Sequence, residues 1–245
     1  MRFTTAAISS PGGRPYNEDA WSSEQVDANA GCWVVADGLG GHGGGEVASR
    51  IAVEQVLAAF RRDATLAPET LQGYLEAAQT AILNGQKTAR RLSGMRTTIV
   101  ILLSDFHAAL WSHVGDSRLY HFRAGRVSSQ TRDHSVPQAL VDAGLIPPEA
   151  VRSHEDRNRL LRSLGNVDNL QPTIAEQPLM LEEKDAFLLC TDGFWEYVLE
   201  TEMETDLAKA QEPEGWLGRM EARLQGRALA WHDNYSAVAV LVQAE

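Results

Sequence analysis

Carboxylates stand where apolar runs stop. Asp37 follows CWVVA and precedes Gly38, and Asp116 follows AALWSHVG. Asp192 follows AFLLCT and precedes Gly193, and Asp233 stands with Asn234 directly before YSAVAVLV. Near the N-terminus, RPYNEDAW supplies Glu18 and Asp19, with Arg14 just upstream. A single Asp at such a place is an ordinary turn former. Several strand–Asp–Gly endings in one chain point further. If the strands share one end of a sheet, their carboxylates converge, and converging carboxylates repel unless a cation lies between them. Oxygen-only ligands select hard cations: Mg²⁺, Mn²⁺ or Ca²⁺. The chain has no HExxH, no paired CxxC and no histidine-rich tract that would suit zinc.

Other chemistries fail on spacing or order. Gly38-Leu39-Gly40-Gly41-His42-Gly43 satisfies G-x-G-x-x-G after an apolar run, the word order of a dinucleotide-binding turn. Such a unit needs a second parallel strand after its first helix. Here the first helical segment leads into a second, PETLQGYLEAAQTAIL, and Asp37 would repel a pyrophosphate. No Gly-Lys-Ser/Thr follows the glycines, so a P-loop is excluded. A cysteine-dependent phosphatase loop needs Arg six places after Cys, but Cys190 meets Glu196 and Cys32 meets Gly38.

Apolar runs without helical period must position the acids. CWVVA, TTIVILL, AFLLC and YSAVAVLV read as buried strands. AALWSHV and RLYHF read as further strands, the latter leading into a turn with Gly125 at its tip. Helices are expected at 45–62, 68–91, 200–210 and 213–227, and 135–165 reads as helix broken by Pro137, Pro147 and Pro148. Consecutive strands without intervening helices argue for antiparallel sheet. With 245 residues, 44% of them hydrophobic, the chain can fill one large domain or two small ones. A net charge of -11 argues against nucleic acid and anionic lipid as partners. No apolar run is long enough to span a bilayer, and the N-terminus lacks a signal-peptide core. Cys32 and Cys190, both in apolar runs, read as buried thiols of a reducing compartment.

Taken in order, RPYNED, VVADGLGGHGGGEVAS, TTIVILL, HVGDSRLYHFRAGRV, TRDHS, LLRSLG, FLLCTDGFWEYV and DNYSAVAV resemble the PPM (type 2C) family of metal-dependent serine/threonine protein phosphatases in its compact bacterial form. The resemblance implies an α+β fold, a four-layer αββα sandwich of two antiparallel sheets. It also implies a single catalytic domain over 1–245, with a flap-like insertion at about 136–168. Two core Mn²⁺ or Mg²⁺ ions are expected, with a third, weaker one beside them. By resemblance, Asp37 bridges the core metals, the Gly38 carbonyl binds the second, and Asp192 and Asp233 complete the first. Asp19, assisted by Glu18, holds metal-bound waters, and Asp116 joins Asp192 at the third site. Arg14 matches the phosphate-binding arginine, and His42 sits where a histidine could protonate the leaving alkoxide. A metal-bridging hydroxide would attack in line on phosphoserine or phosphothreonine in proteins.

The implied setting is cytoplasmic and monomeric, opposing a bacterial Ser/Thr kinase. The competing reading is a catalytically weak member that uses the fold to bind a partner. Asp133 in TRDHS is expected to cap the following helix, and Arg152, Arg157, Arg159 and Arg162 to form a solvated helix face. Arg96 stands where the family often has Gly before the Thr pair, which puts the start of that strand in doubt.

Overall fold

A computed structural model describes residues 1–26, 30–40, 44–167 and 170–244. His42 lies outside the described residues. The parity of the buried strands explains the layers. Strand β3 (Ala30–Ala36) has no exposed residue. Its Cys32, Val34 and Ala36 pack with Ala48, Ala52 and Val56 of helix α1 (Gly44–Phe60) and Leu75 and Ala78 of α2 (Pro68–Gln86). The alternate residues Trp33 and Val35 pack with Phe187, Leu189, Val238 and Val240 from the facing sheet. Side chains alternate faces along a strand, so a strand covered on both sides is apolar throughout.

Among the described residues, one antiparallel sheet runs β1 (Arg2–Ser10), β13 (Tyr235–Gln243), β12 (Ala186–Cys190), β8 (Arg118–Arg123), β9 (Arg126–Gln130). The other runs β10 (Thr173–Ile174), β7 (Ala108–Val114), β6 (Ile99–Ser104), β3, β2 (Ala20–Val26), with β11 (Leu179–Met180) also on β7. A short ladder joins β4 (Gly38–Leu39) to β5 (Arg96–Thr97). On the outer face of the first sheet, Tyr235, Ala237, Leu188 and Cys190 pack under Met203 of α5 (Glu200–Leu207) and Trp216, Leu217 and Met220 of α6 (Pro213–Arg227). The order helix, sheet, sheet, helix is the αββα sandwich expected. Among the described residues no helix is long and apolar enough to cross a membrane. Both cysteines are buried and free.

Several local expectations are corrected. β1 carried little apolar signal, yet it pairs with β13 along its whole length, from Arg2–Gln243 to Ser10–Tyr235. α2 stops at Gln86, because Thr88 closes the end by donating its hydroxyl to the Gly85 carbonyl at 2.7 Å. Of 135–165, only α3 (Val136–Asp142) and a 3₁₀ turn at Pro148–Ser153 are helical. Ser135, not Asp133, caps α3 by accepting from the Gln138 N–H. Asp133 instead forms a buried two-pronged ion pair with Arg118, each prong 2.8 Å. The arginines 152 and 157 are not a free solvated face. Arg152 donates to Glu200 at 2.6 Å and Arg157 to Glu196 at 3.0 Å. Arg96 begins the β5 ladder to β4, so the strand start survives the loss of Gly.

Candidate metal centre

Three strand ends and one N-terminal loop bring the acids together. Asp37 ends β3, and the Thr pair fixes its backbone from both sides. Its N–H donates to Thr98 Oγ1 at 3.1 Å, and its carbonyl accepts from Thr98 N–H at 2.9 Å and Thr97 Oγ1 at 2.7 Å. Asp192 follows β12 and opens the short helix α4 (Asp192–Trp195), where the sequence suggested only a turn. Asp233 immediately precedes β13, and Asp116 follows β7. Arg14, Glu18, Asp37, Gly38, Asp116, Asp192 and Asp233 line one cavity of about 170 Å³. Among the described residues, no three His, Cys, Asp or Glu side chains are drawn together as a ready-made metal cage. The acids surround a space instead of closing on a point.

Close glycine packing shapes the wall. A Cβ on Gly38 would collide with the Gly45 carbonyl group and lie 2.5 Å from the Glu18 carbonyl oxygen. Only glycine lets β4, the N-terminal loop and the start of α1 meet here. The Asn234 amide group then clips the loops around the mouth. It donates to the Pro11 and Tyr16 carbonyls, both at 2.9 Å, and its oxygen accepts from the Glu18 N–H at 2.8 Å.

The electrostatics are those of a site built for cations. Burial raises Asp37 well above the usual carboxylate range, and Asp192, Asp19, Asp116 and Asp233 push it further. Burial, then Asp192 and Asp133, raise Asp116 likewise, against Arg118. Burial and then Asp233 bring Asp192 to about 6, with Asp37 hydrogen-bonded to it. Asp19 is pushed up to about 7, chiefly by burial. It stands behind the cavity wall, held by the Thr191 hydroxyl at 2.9 Å, while its other oxygen is buried without a partner. Glu18 is raised by burial against the backbone N–H groups of Glu46 and Gly45, so it also serves the start of α1. Arg14 donates to Asp233 at 3.0 Å and is the one basic side chain on the cavity wall among the described residues. An all-oxygen donor set, mutually raised carboxylates and an orphaned Asp19 oxygen fit divalent hard cations.

Sequence reasoning missed several contributors. Asn158 and Leu160 reach the cavity from the 136–168 insertion without any motif to mark them. Glu196, one helical turn beyond Asp192, is raised to about 7 by burial and by Asp192. Trp195 donates its indole N–H to the Asp116 carbonyl at 2.9 Å, and the Arg118 guanidinium lies 3.5 Å from its ring centroid. The buried Arg118–Asp133 pair therefore braces the turn that carries Asp116. An Asn beside Asp233 was the available signal for the loop clip.

Comparison with known proteins agrees with this geometry. The family model described as Protein phosphatase 2C matches residues 13–229, ending just short of Asp233. The serine/threonine phosphatase stp of Listeria welshimeri is 32% identical over 203 residues, covering 81% of this chain and 79% of that protein. The phosphatase Stp1 of Staphylococcus aureus superposes with a TM-score of 0.88 at 26% identity, over 100% of this chain and 96% of that one. PstP of Mycobacterium tuberculosis superposes with a TM-score of 0.83 at 30% identity over 99% of each chain. The PstP catalytic domain, solved in complex with two manganese ions, gives 0.82 at 30% identity over 99% of each. Layered architecture, an acid-lined cavity at the strand ends and a match across most of the chain lead to one assignment: the chain belongs to the protein phosphatase 2C family.

Proposed function

We propose that this chain is a protein serine/threonine phosphatase that works with Mn²⁺ or Mg²⁺. The observation that carries the proposal is the convergence of Asp37, Asp116, Asp192 and Asp233 with Arg14 on one small cavity. The PstP catalytic domain in complex with two manganese ions supports the choice of metal. Bound divalent cations would supply Lewis acidity toward the phosphoryl group and toward the attacking water.

The chain's own groups divide the remaining work. Asp37, Asp192 and Asp233, with the Gly38 carbonyl, would hold two ions, and Asp116 with Asp192 a weaker third. Asp19, anchored by Thr191, would orient water through its unpartnered oxygen. Arg14 neutralises Asp233 in the metal-free arrangement. A cation that takes over Asp233 frees the guanidinium fork for two phosphoryl oxygens, where it stabilises charge added in the transition state. His42 would give a proton to the leaving serine or threonine oxygen. Its support is its place in the glycine loop and the ordinary titration of histidine near neutral pH. Residues 1–245 would act as one catalytic domain, with 136–168 as an insertion beside the site, because Asn158 and Leu160 line the cavity. A cytoplasmic monomer opposing a Ser/Thr kinase fits the two free buried thiols, and size-exclusion chromatography showing a stable dimer would contradict the monomer.

Calorimetric titration of chelator-treated protein with Mn²⁺ tests the site, and phosphate release from a phosphothreonine peptide tests the reaction. Two strong binding events, one lost in Asp233→Asn, are expected together with activity that returns only with metal. Full hydrolysis without added metal, or no Mn²⁺ uptake, would overturn the proposal.

A further inference from the structure

The mouth of the cavity is bordered by two loops that are fastened to each other. A Cβ on Gly13 would collide with the Ala230 carbonyl oxygen and lie 2.6 Å from Trp231 Cα, and one on Gly12 would collide with the Asp233 carbonyl oxygen. The Gly13 N–H donates to the His232 carbonyl at 3.0 Å, and Asn234 holds the Pro11 and Tyr16 carbonyls. The His232 ring stacks on Tyr235 and meets Tyr197 edge-on, with centroids 5.9 and 6.2 Å apart. From this stiff frame two aromatic side chains face solvent: Tyr16 is 74% exposed and Trp231 is 71% exposed. Leu229, 54% exposed, stands two residues from Trp231. Tyr16 lies two residues from Arg14, and Trp231 two residues from Asp233, and both of those partners line the cavity. On the insertion, Leu161 is 55% exposed next to the cavity-lining Leu160.

We infer that these apolar rims dock the polypeptide on either side of the phosphorylated residue and select sites flanked by large apolar side chains. The inference rests on the phosphatase reading of the cavity. Continuity identifies the occupant. A phosphoresidue seated beside Arg14 carries its neighbours, roughly 3.3 Å per residue of extended chain, over the segments that bear Tyr16 and Trp231. Aromatic anchors on a rigid frame bind without an ordering cost, which is why such residues dominate contact energetics. Charge points the same way. The chain carries -11, Arg14 is engaged by Asp233 and Arg157 by Glu196, so the mouth offers no basic cluster to acidic flanks.

The test uses two phosphothreonine peptides that differ only in the two residues on each side, leucine and phenylalanine in one and serine in the other. The Mn²⁺-loaded wild type, Trp231→Ala, Tyr16→Ala and Met180→Ala are compared by kcat/KM. Met180, 68% exposed, pairs with Ala108 at the start of β7, the end of that strand remote from Asp116, and serves as the control. The wild type and Met180→Ala are expected to prefer the apolar peptide by about tenfold. Either aromatic substitution is expected to cut that preference to about twofold or less through KM, with kcat on the serine-flanked peptide retained. Equal use of both peptides by the wild type, or a preference that persists in both aromatic variants, overturns the inference and leaves the phosphatase reading standing. Failure of the wild type to hydrolyse either peptide overturns both.

Discussion

Asp192→Asn is expected to move stability in opposite directions with and without metal. Asp192 is held at about 6 by burial and by Asp233. A carboxyl whose folded pKa is raised binds its proton more tightly in the folded state, so it penalises folding at pH above that value. The penalty is full above about pH 6 and fades as pH falls toward the unfolded value near ~4. A rise of roughly two units corresponds to about 3 kcal/mol at most. Asp37 and Asp233 stay behind, and an Asn amide can still hydrogen-bond Asp37, so about 1–3 kcal/mol should return on substitution. For a chain of this size that is roughly 2–10 °C in Tm. Metal acts in the other sense. Each site filled at a hundred times its Kd stabilises by about 2.7 kcal/mol, or roughly 5–10 °C. Thermal unfolding in chelator should therefore rank the variant above the wild type at neutral pH, with the difference shrinking toward pH 5. Saturating Mn²⁺ should reverse the order. A variant that is less stable in chelator, or that gains as much from Mn²⁺ as the wild type, would refute the cation-site reasoning.

Asp116→Ala should leave the two strong Mn²⁺ events intact in calorimetry, remove a weaker one and slow turnover. Unchanged turnover across the metal range would return Asp116 to an ordinary turn role. Asp133→Asn breaks a buried ion pair whose side chains are 6% and 2% exposed, and denaturant unfolding should show a loss of about 3–5 kcal/mol. Replacing both partners by apolar residues, Arg118→Met with Asp133→Leu, should recover most of that loss; a double variant no better than the single would count against the pair. Gly38→Ala forces a Cβ into the Gly45 backbone and should cost about 3 kcal/mol, seen as a lower urea midpoint at unchanged slope.

The legible part of the sequence was the part written in strong local physics. Runs such as CWVVA and YSAVAVLV are apolar at every position because both faces are covered, and an Asp at the end of such a run has few reasons to be there. The site was therefore readable at Asp37, Asp116, Asp192 and Asp233. β1 was not, because TTAAISS has mixed small residues and is made a strand by its partner β13. Asp133 looked like a cap because a helix follows it. Only the fold shows that Arg118, fifteen residues earlier, lies within 2.8 Å. Asn158, Leu160 and the exposed Tyr16 and Trp231 depend on how loops meet, which no local pattern records.

The most direct test is phosphate release from a phosphothreonine peptide by chelator-treated wild type and Asp37→Asn, each with and without Mn²⁺. The account predicts activity in the wild type only when Mn²⁺ is present. It predicts at least about a hundredfold less in Asp37→Asn at every metal concentration, the loss of roughly 2.7 kcal/mol of transition-state stabilisation. Full activity of the chelated wild type, or an Asp37→Asn variant that matches it, would contradict the claim that these carboxylates work by holding metal.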